Sequence, residues 1–572
     1  MTFTYSVTAA DWGRIAPELI LAAMTLLVMI ADLLLPQPAK GGKDSGPRNF
    51  ILLPLLSLLG LAGAFAATIV LFVAGDQRPA FNQMIGSDFG SLYAYIIILS
   101  ASALGIMLSP AYLKRLNLVH QGEYYALFLS ATIGMMLLAA AVSFLMVFLG
   151  LEMLSLALYI LCSFITGRKT SQEAGMKYFL LSSFASAFLL YGIALAYGAT
   201  GSTSFAGVRT FLFRHAVPAI SHPAPVVPFQ THTLLLVAMG LLTVGFAFKV
   251  SAIPFQAWTP DVYVGAPAPV TAFMSVGTKA AALIAFARVF DVVLGLAQPD
   301  WVPVIWAITV LTIVGGNILA LVQSSVKRLL AYSSIAHAGY LLIGVVVGGT
   351  IGLSAILFYL LCYTFMNLGA FGVVSVLERA DNSGSNYSEI RRLWYRQPVL
   401  AGLLAFFMLA LAGFPFMAGF AAKYYLFYAA LLGGHAELLI IGVLASVLGM
   451  YYYLRVIATM FMEKEVVAAA APVPPAPVPA TKRVSTKAGN ADAMVSPGGA
   501  TALAVKPASR VAGQARTTFA VQKATEKEPA LNIGLMSWIA LAIAFVGTLA
   551  MGTVLPFWLV NLAQQAAQMM LR

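Results

Sequence analysis

A succession of long apolar runs limits what this chain can fold into. A membrane-spanning helix needs about 20 mainly apolar residues, and only 9% of this chain is charged, with a mean hydropathy of +0.89. Soluble domains carry about 25% charged residues. The sequence therefore predicts an all-α polytopic membrane protein with about fourteen transmembrane helices, at 15–35, 50–74, 91–109, 123–141, 143–166, 175–198, 233–253, 268–290, 301–323, 330–349, 352–377, 401–430, 437–462 and 533–558.

Lysine and arginine are distributed unevenly among the connections between these runs. With the N-terminus outside, the inside connections contain most of them: Lys40, Lys43, Arg48, Lys114, Arg115, Arg168, Lys169, Lys327, Arg328, Arg379, Arg391, Arg392 and Arg396. The outside ones hold Arg14, Arg78, Arg209, Arg214 and Arg572. This follows the positive-inside rule and predicts both termini on the outer side of the membrane. It also accounts for the net charge of +12 without nucleic acid binding.

Residues 463–529 differ in composition from the rest of the chain. The segment is rich in Ala, Pro, Thr and Lys, as in APVPPAPVPATKRVSTK, and lacks the apolar content of a core. We interpret it as a disordered, basic cytoplasmic linker, either an insertion without a specific role or a segment that lies on anionic lipid headgroups. The predicted organisation is an N-terminal three-helix region (1–122), two groups of five helices (123–290 and 301–462), the linker, and the last transmembrane helix (530–572).

Two of the apolar runs are interrupted by proline and glycine. They read FAFKVSAIPFQAWTPDVYVGAPAPV (246–270) and LALAGFPFMAGFAAKYYLF (409–427). Proline removes a helical hydrogen bond, and in lipid such a break persists only where protein or a water-filled cavity satisfies the backbone. Paired interruptions in two halves of a membrane protein indicate inverted repeats around a transport site, with helices four to eight and nine to thirteen as the halves.

Four ionisable residues lie inside otherwise apolar runs: Glu152, Lys249, Lys279 and Lys423. Charges at membrane depth are costly and tend to mark ion or proton pathways. Burial disfavours a charged lysine while a nearby carboxylate favours it, so a Glu–Lys pair can store or release a proton when its separation changes. The alternatives are a carboxyl group that only joins two helices and lysines that extend to the membrane interface.

Two further residues are weaker candidates. Lys177 lies a few residues into its helix beside Tyr178, where interfacial anchoring explains it equally well. His337, in SSIAHAGYLLIG, can pass protons through either ring nitrogen or can be a hydrogen-bonded core residue. Nearby polar residues that are also candidates to line a hydrated path are Ser333, Ser334, Tyr359 and Tyr363.

The sequence contains no ladder of CxxC motifs, no Walker A motif and no GxGxxG fingerprint in a strand–helix context. Its two cysteines, Cys162 and Cys362, lie far apart in separate apolar runs, which indicates neither a disulfide framework nor a metal cluster. We therefore expect no cofactor and no metal in this chain, and an energy source in a partner or an ion gradient.

Four motifs together resemble one family. They are GLEMLSLALYIL, FKVSAIPFQAWTPDVYVGAPAPVTAF with TKAA behind it, VKRLLAYSSIAHAGY and GFPFMAGFAAKYYLF. As a set they resemble the antiporter-like subunits of proton-pumping NADH:quinone oxidoreductase, respiratory complex I, and the resemblance covers roughly residues 90–462. The resemblance implies fourteen helices with two inverted five-helix repeats, broken seventh and twelfth helices, and a water-filled central axis of charged residues.

The resemblance also implies residue roles and partners. It matches Glu152 and Lys249 to a Glu–Lys pair, Lys279 to the lysine of helix eight, and Lys423 to the terminal lysine of helix twelve. A lysine at 423 and no long lateral helix after the last run resemble the N type of subunit. NADH, FMN, iron–sulfur clusters and quinone are then expected in partner subunits, which include neighbouring antiporter-like subunits and small membrane subunits toward the quinone site.

Three other functions remain open at this point. A subunit of a multi-component sodium/proton antiporter has the same helix core, and a sodium requirement independent of quinone turnover would favour it. A related pump can be fed by ferredoxin, a reduced deazaflavin or a hydrogenase module. A purely structural subunit would leave pumping unaffected when the three lysines are replaced.

Overall fold

The fold is described from a computed structural model, which covers residues 7–35, 50–116, 121–216, 229–379, 381–462 and 533–571. The predicted linker at 463–529 lies outside the described residues. Within them the chain is almost entirely helical. The helices are α1 (Ala9–Arg14), α2 (Ala16–Leu34), α3 (Leu52–Ala74), α4 (Phe89–Arg115), α5 (Gln121–Ala139), α6 (Phe144–Cys162), α7 (Lys169–Thr200), α8 (Phe205–Ala216), α9 (Phe229–Val250), α10 (Trp258–Gly265), α11 (Ala268–Ala287), α12 (Gln298–Leu321), α13 (Val326–Val347), α14 (Gly349–Leu377), α15 (Tyr387–Ile390), α16 (Leu393–Arg396), α17 (Pro398–Ala412), α18 (Ala418–Leu432), α19 (Ala436–Phe461), α20 (Leu535–Thr553) and α21 (Pro556–Leu571).

The part of the chain that the structure describes contains thirteen helices long and apolar enough to cross a membrane. They match thirteen of the predicted runs, which confirms a polytopic membrane protein. The remaining run, 401–430, is divided between α17 and α18, each of 15 residues. The assignment of these helices to inverted repeats stays a prediction.

The ends of the helices follow local rules. Ser143 accepts a hydrogen bond from the backbone N–H of Met146 and starts α6. Asp88 does the same for Ser91 at the start of α4. Side-chain oxygens at this position satisfy amide groups that have no partner inside the helix. The four helices α2, α11, α12 and α17 have proline in the first turn. Because proline has no N–H, each has one amide group fewer that needs an acceptor there.

Three helices form the centre of the bundle. The most apolar window of α11 is entirely buried, and those of α13 and α14 are 89% and 94% buried, against 22% for α2. Most polar side chains on these three helices are therefore shielded by protein. Lys279 lies on the first of these helices and His337 on the second.

Both predicted interruptions are breaks in helical structure. α9 ends at Val250, and α10 follows after a loop in which Ser251 has a φ of 66°. α17 ends at Ala412, where Gly413 adopts a left-handed φ of 89° that glycine tolerates best. The backbone groups freed at each break are accessible to side chains, and a lysine lies beside each one.

Candidate functional site

Lys249 lies in the last turn of α9 and is buried. Its Nζ donates to the hydroxyl of Ser155 on α6 at 2.7 Å and to the hydroxyl of Ser182 on α7 at 2.6 Å. Glu152 lies one turn before Ser155 on α6, close enough for its charge to act on Lys249, whereas the hydrogen bonds of the Lys249 Nζ go to the two serines. The Glu152 Oε1 is buried and has no hydrogen-bond partner among the described residues.

Aromatic rings surround the Lys249 ammonium group. Its Nζ lies 5.9 Å from the ring centre of Tyr159 and 5.5 Å from that of Tyr178. The Tyr178 ring is stacked on Trp258 of α10, with centroids 4.7 Å apart. Ring faces attract cations, so these residues and the two serines hold a lysine in a chamber without a paired carboxylate.

Lys279 lies in the middle of α11 and is 1% exposed. Its Nζ donates to the backbone carbonyl of Ser334 on α13 at 2.5 Å and to the Ser334 hydroxyl at 2.6 Å. Among the described residues it has no acidic partner. A buried amine that meets only neutral acceptors can lose its proton at lower cost than one that is ion-paired.

His337 is buried on α13 and both of its ring nitrogens are hydrogen-bonded. Nδ1 lies 2.8 Å from the Tyr359 hydroxyl of α14, and Nε2 lies 3.2 Å from the Tyr453 hydroxyl of α19. Tyr453 is also hydrogen-bonded to the hydroxyl of Ser333. Hydroxyl groups both donate and accept, so the imidazole has a proton donor or acceptor on each side.

His337 also lies near two of the buried lysines, Lys279 on α11 and Lys423 on α18. The charges of Lys423 and Lys279 both act on the imidazole. Ser334, which holds Lys279, and Ser333, which is hydrogen-bonded to Tyr453, are adjacent residues of α13. The structure therefore places the histidine within one polar cluster with the core lysines.

Lys423 lies on α18, on the far side of the break from α17, and is buried. Its Nζ donates to the carbonyls of Leu411 and Ala412 at 3.2 and 3.0 Å and to the Ser446 hydroxyl of α19 at 2.9 Å. The ring of Tyr340 on α13 lies 5.3 Å from the Nζ. The ammonium group thus occupies the carbonyl end of α17, where the helix dipole favours a cation.

Lys177 differs from these lysines. Its side chain is 40% exposed and forms ion pairs with Glu173 on its own helix and with Asp261 of α10, each at 2.7 Å. The structure therefore places it at the edge of the bundle, away from the buried hydroxyl partners of the other lysines.

The resemblance implies a pair between the Glu152 carboxylate and Lys249, but a different group contacts the Lys249 Nζ directly. The Ser155 hydroxyl, rather than the Glu152 carboxylate, contacts the Lys249 Nζ. Residues three apart share a helix face. Glu152 therefore lies on the same side of α6 as Ser155, the side that contacts Lys249. The pairing of the two charges stays a prediction.

Sequence reasoning missed the hydroxyl groups that hold the core lysines and histidine. They are Ser155, Ser182, Ser446 and Tyr453. For Ser155 a signal exists, because it lies three residues after Glu152 in an otherwise apolar run. The others belong to separate helices and carry no signal in the sequence. Among the described residues, no group of three or more His, Cys, Asp or Glu side chains is placed to hold a metal ion.

Known protein sequences are similar to this chain. A family model described as NADH:quinone oxidoreductase/Mrp antiporter, transmembrane, matches residues 141–449. NADH-quinone oxidoreductase subunit N of Trichlorobacter lovleyi is 41% identical over 449 residues, which cover 78% of this chain and 87% of the relative.

Solved structures of membrane complexes are also similar. A chain of respiratory complex I from Thermus thermophilus is 30% identical, with 95% of this chain and 98% of that chain covered and a TM-score of 0.67. A chain of the Mrp complex from Dietzia is 20% identical, with 99% and 100% covered and a TM-score of 0.72, which shows the shared fold alone. The chain belongs to the transmembrane NADH:quinone oxidoreductase/Mrp antiporter family.

Proposed function

We propose that this chain is the membrane-embedded, proton-translocating N-type subunit of a bacterial respiratory NADH:quinone oxidoreductase. The observation that carries the proposal is the set of buried basic groups held only by neutral acceptors: Lys249, Lys279, His337 and Lys423. Buried groups of this kind are expensive to maintain in a membrane protein and are typical of proton relays.

In the first half, Lys249 is the group that takes up and releases a proton. The Ser155 and Ser182 hydroxyls accept from its ammonium form, and Glu152 stabilises that form through its charge. A change in the charge or position of Glu152 alters the balance between the two forms of the lysine. Quinone reduction in partner subunits would drive that change, since the redox centres belong to those subunits.

Lys279, at the end of the first half, and His337 and Lys423, in the second half, continue the relay. The imidazole of His337 exchanges protons with Tyr359 and Tyr453 at its two nitrogens. Lys423 is the terminal group, and it exchanges protons with the neighbouring antiporter-like subunit or with the outside. Lys177, which is exposed and ion-paired, is a weaker member of the site.

The proposed surroundings follow from the same family. The chain spans the bacterial inner membrane with both termini on the outer side, beside other antiporter-like subunits and the small subunits toward the quinone site. NADH, FMN, iron–sulfur clusters and quinone bind to partner subunits. The two five-helix repeats, 123–290 and 301–462, each contribute one half of the relay.

The test is NADH-driven proton uptake into inverted membrane vesicles of the native host, with wild type compared with Lys249→Ala. We expect uptake and quinone reduction to fall together in this variant, because the relay group is lost. Lys114→Ala, which removes an exposed lysine at the end of α4, is the matched control and should behave as wild type. Full turnover with equal protons per quinone in Lys249→Ala would remove this residue from the mechanism.

The same vesicles separate the proposal from a sodium/proton antiporter. Unchanged NADH-driven uptake in Lys249→Ala, with sodium/proton exchange lost, would assign the chain to the antiporter branch of its family. Uptake that requires ferredoxin or hydrogen as the donor in place of NADH would assign it to a related pump.

A further inference from the structure

Lys327, at the start of α13, is almost fully buried. Its Nζ donates to the carbonyls of Val264 and Ala266 at 3.1 and 2.9 Å, and to Oε2 of Glu378 at 2.8 Å. The two carbonyls belong to the C-terminal end of α10, where prolines at 267 and 269 prevent the helix from continuing. One ammonium group thus satisfies the end of α10 and an acidic side chain together.

Glu378 fixes Lys327 in place from the opposite side. This carboxylate follows the last residue of α14 and is buried. Its Oε1 accepts from the Tyr112 hydroxyl of α4 at 2.7 Å and from the Arg168 guanidinium at 2.8 Å. Asn382 adds a second donor to the Val264 carbonyl, at 3.2 Å. Lys327 and Asn382 therefore hold the carbonyl end of α10. Lys327 is held in turn by Glu378, whose other partners come from α4 and from the residue before α7.

The other end of α10 reaches the Lys249 chamber. Trp258, its first residue, donates from Nε1 to the Phe248 carbonyl at 3.2 Å and stacks on Tyr178. Tyr178 is the ring that lies 5.5 Å from the Lys249 Nζ. α10 is only eight residues long, so a displacement at one end is expected to move the other end with it.

α10 also makes buried contacts through Thr259, which donates to the Ser251 hydroxyl at 2.7 Å, and forms ion pairs on its exposed side. Asp261 pairs with Lys177 at 2.7 Å and with Arg328 at 3.4 Å, and all three side chains are between 38% and 44% exposed. Exposed ion pairs contribute little, whereas buried polar contacts are costly to break. The buried Lys327 contacts therefore hold the carbonyl end of α10 more strongly than these exposed ion pairs do.

We propose that Lys327 is a positioning residue for proton transfer: it fixes the carbonyl end of α10 and, through Trp258 and Tyr178, sets the geometry of the Lys249 chamber. The inference rests on the proposed role of Lys249. It assigns to Lys327 no proton transfer of its own. Without its ammonium group, Val264 and Ala266 lose a donor, and α10 and Trp258 can shift relative to Lys249.

The experiment compares the assembled native complex with Lys327→Met, Lys327→Arg and the control Lys114→Met. In Lys327→Met we expect faster amide hydrogen exchange at 251–266. We also expect a fall in proton uptake of between about tenfold and a hundredfold, since misplacing a reacting group costs this much. The pH profile of uptake should shift, because the surroundings of Lys249 change. Lys327→Arg, which keeps the charge and donors, should restore most of the uptake.

The outcomes separate positioning from a purely structural role. A structural role would lower the amount of assembled complex and all activities equally, without moving the pH profile. A wild-type profile and uptake per assembled complex in Lys327→Met would overturn the proposal. If Lys327→Met does not assemble, Lys327→Gln decides: it keeps one neutral donor, and wild-type uptake with an unshifted profile in this variant would equally overturn it.

Failure of this inference is distinguishable from failure of the proposed function. Lys249→Ala is measured in the same vesicles. If uptake is lost in Lys249→Ala but is at the wild-type level in Lys327→Met, only the positioning role is rejected. Normal uptake in Lys249→Ala would reject the relay, whatever the behaviour of the Lys327 variants.

Discussion

The Nζ of Lys423 lies 3.0 Å from the carbonyl oxygen of Ala412, across a break in helical structure. The lysine belongs to α18 and the carbonyl to the last residue of α17. The last carbonyls of a helix have no amide partner within it, and in an apolar bundle a side chain must supply one. A group proposed to carry protons is thus also the group that completes the backbone of the broken segment.

Replacing Lys423 tests this double role. Lys423→Met leaves the Leu411 and Ala412 carbonyls without their donor, which we expect to destabilise the subunit by about 1–3 kcal/mol. Proton uptake should be lost as well. Lys423→Arg keeps the charge and donors and should recover stability more fully than uptake. The apparent melting temperature of the purified complex and NADH-driven uptake measure the two effects, and a Lys423→Met complex that keeps both would contradict the assignment.

Gly413 offers a way to disturb the same break without touching the lysine. Its φ of 89° is unfavourable for other residues, and a Cβ there would lie 3.2 Å from Cδ of Lys423 and 3.5 Å from its Nζ. We expect Gly413→Ala to cost about 1–2 kcal/mol from the left-handed backbone and to lower uptake by displacing the ammonium group.

The matched control for Gly413 is Gly402→Ala in the helical interior of α17. A Cβ at Gly402 would approach only Trp394, at 4.0 Å. This variant should keep uptake and stability at least equal to wild type, since alanine favours helix over glycine. Equal uptake in Gly413→Ala and Gly402→Ala would show that the geometry at the break does not matter.

The transmembrane helices were predictable because hydropathy and chain length determine them. The run 233–253, for example, is α9 at Phe229–Val250, and proline and glycine located both breaks. The burial of Lys249, Lys279 and Lys423 also follows from their place in apolar runs. These properties depend on neighbours in the sequence, which is why the sequence alone was sufficient.

The partners of those lysines were not predictable, since they depend on how helices pack. Ser182 reaches Lys249 from α7, and Ser334 reaches Lys279 from α13. Serine is common at helix interfaces in membranes, so composition cannot single out these two. Lys327 shows the same limit: in the sequence it counts as one basic residue of a connection, yet the packing of α10, α13 and α14 buries it completely.

The two hydrogen bonds of His337 allow a test of whether its imidazole transfers protons. Tyr359→Phe removes the partner of Nδ1, and Tyr453→Phe removes the partner of Nε2 and of Ser333. If the imidazole transfers protons, both variants should lower uptake, and His337→Phe should lower it at least as much as either one. Effects of members of one network are not additive, so the double variant Tyr359→Phe/Tyr453→Phe should resemble His337→Phe. A wild-type rate in His337→Phe would leave the histidine as a core residue only.

Asp88 and Arg288 form a buried ion pair that we expect to be structural. Both guanidinium NH groups contact the carboxylate, at 2.8 and 3.1 Å, and Ser91 donates to it as well. Removing one partner of a buried pair costs about 3–5 kcal/mol because the other charge stays uncompensated. Arg288→Met should therefore lower the melting temperature strongly, and the double variant Asp88→Asn/Arg288→Met less so. A double variant that is less stable than Arg288→Met would contradict this.

The same pair predicts how stability changes in acid. Burial by itself raises the pKa of Asp88, but the Arg288 charge, its hydrogen bonds and those of Ser91 lower it below the ordinary value. A carboxyl group with a lowered pKa in the folded state stabilises the protein fully above its unfolded pKa, about 3.9 for Asp. That contribution is lost as the pH falls through the folded value. The stability difference between wild type and Asp88→Asn, from melting temperatures at neutral and acid pH, should accordingly be largest at neutral pH and shrink below the unfolded pKa. A stability difference that stays constant or grows in acid would contradict a stabilising role for the ionised Asp88 carboxylate.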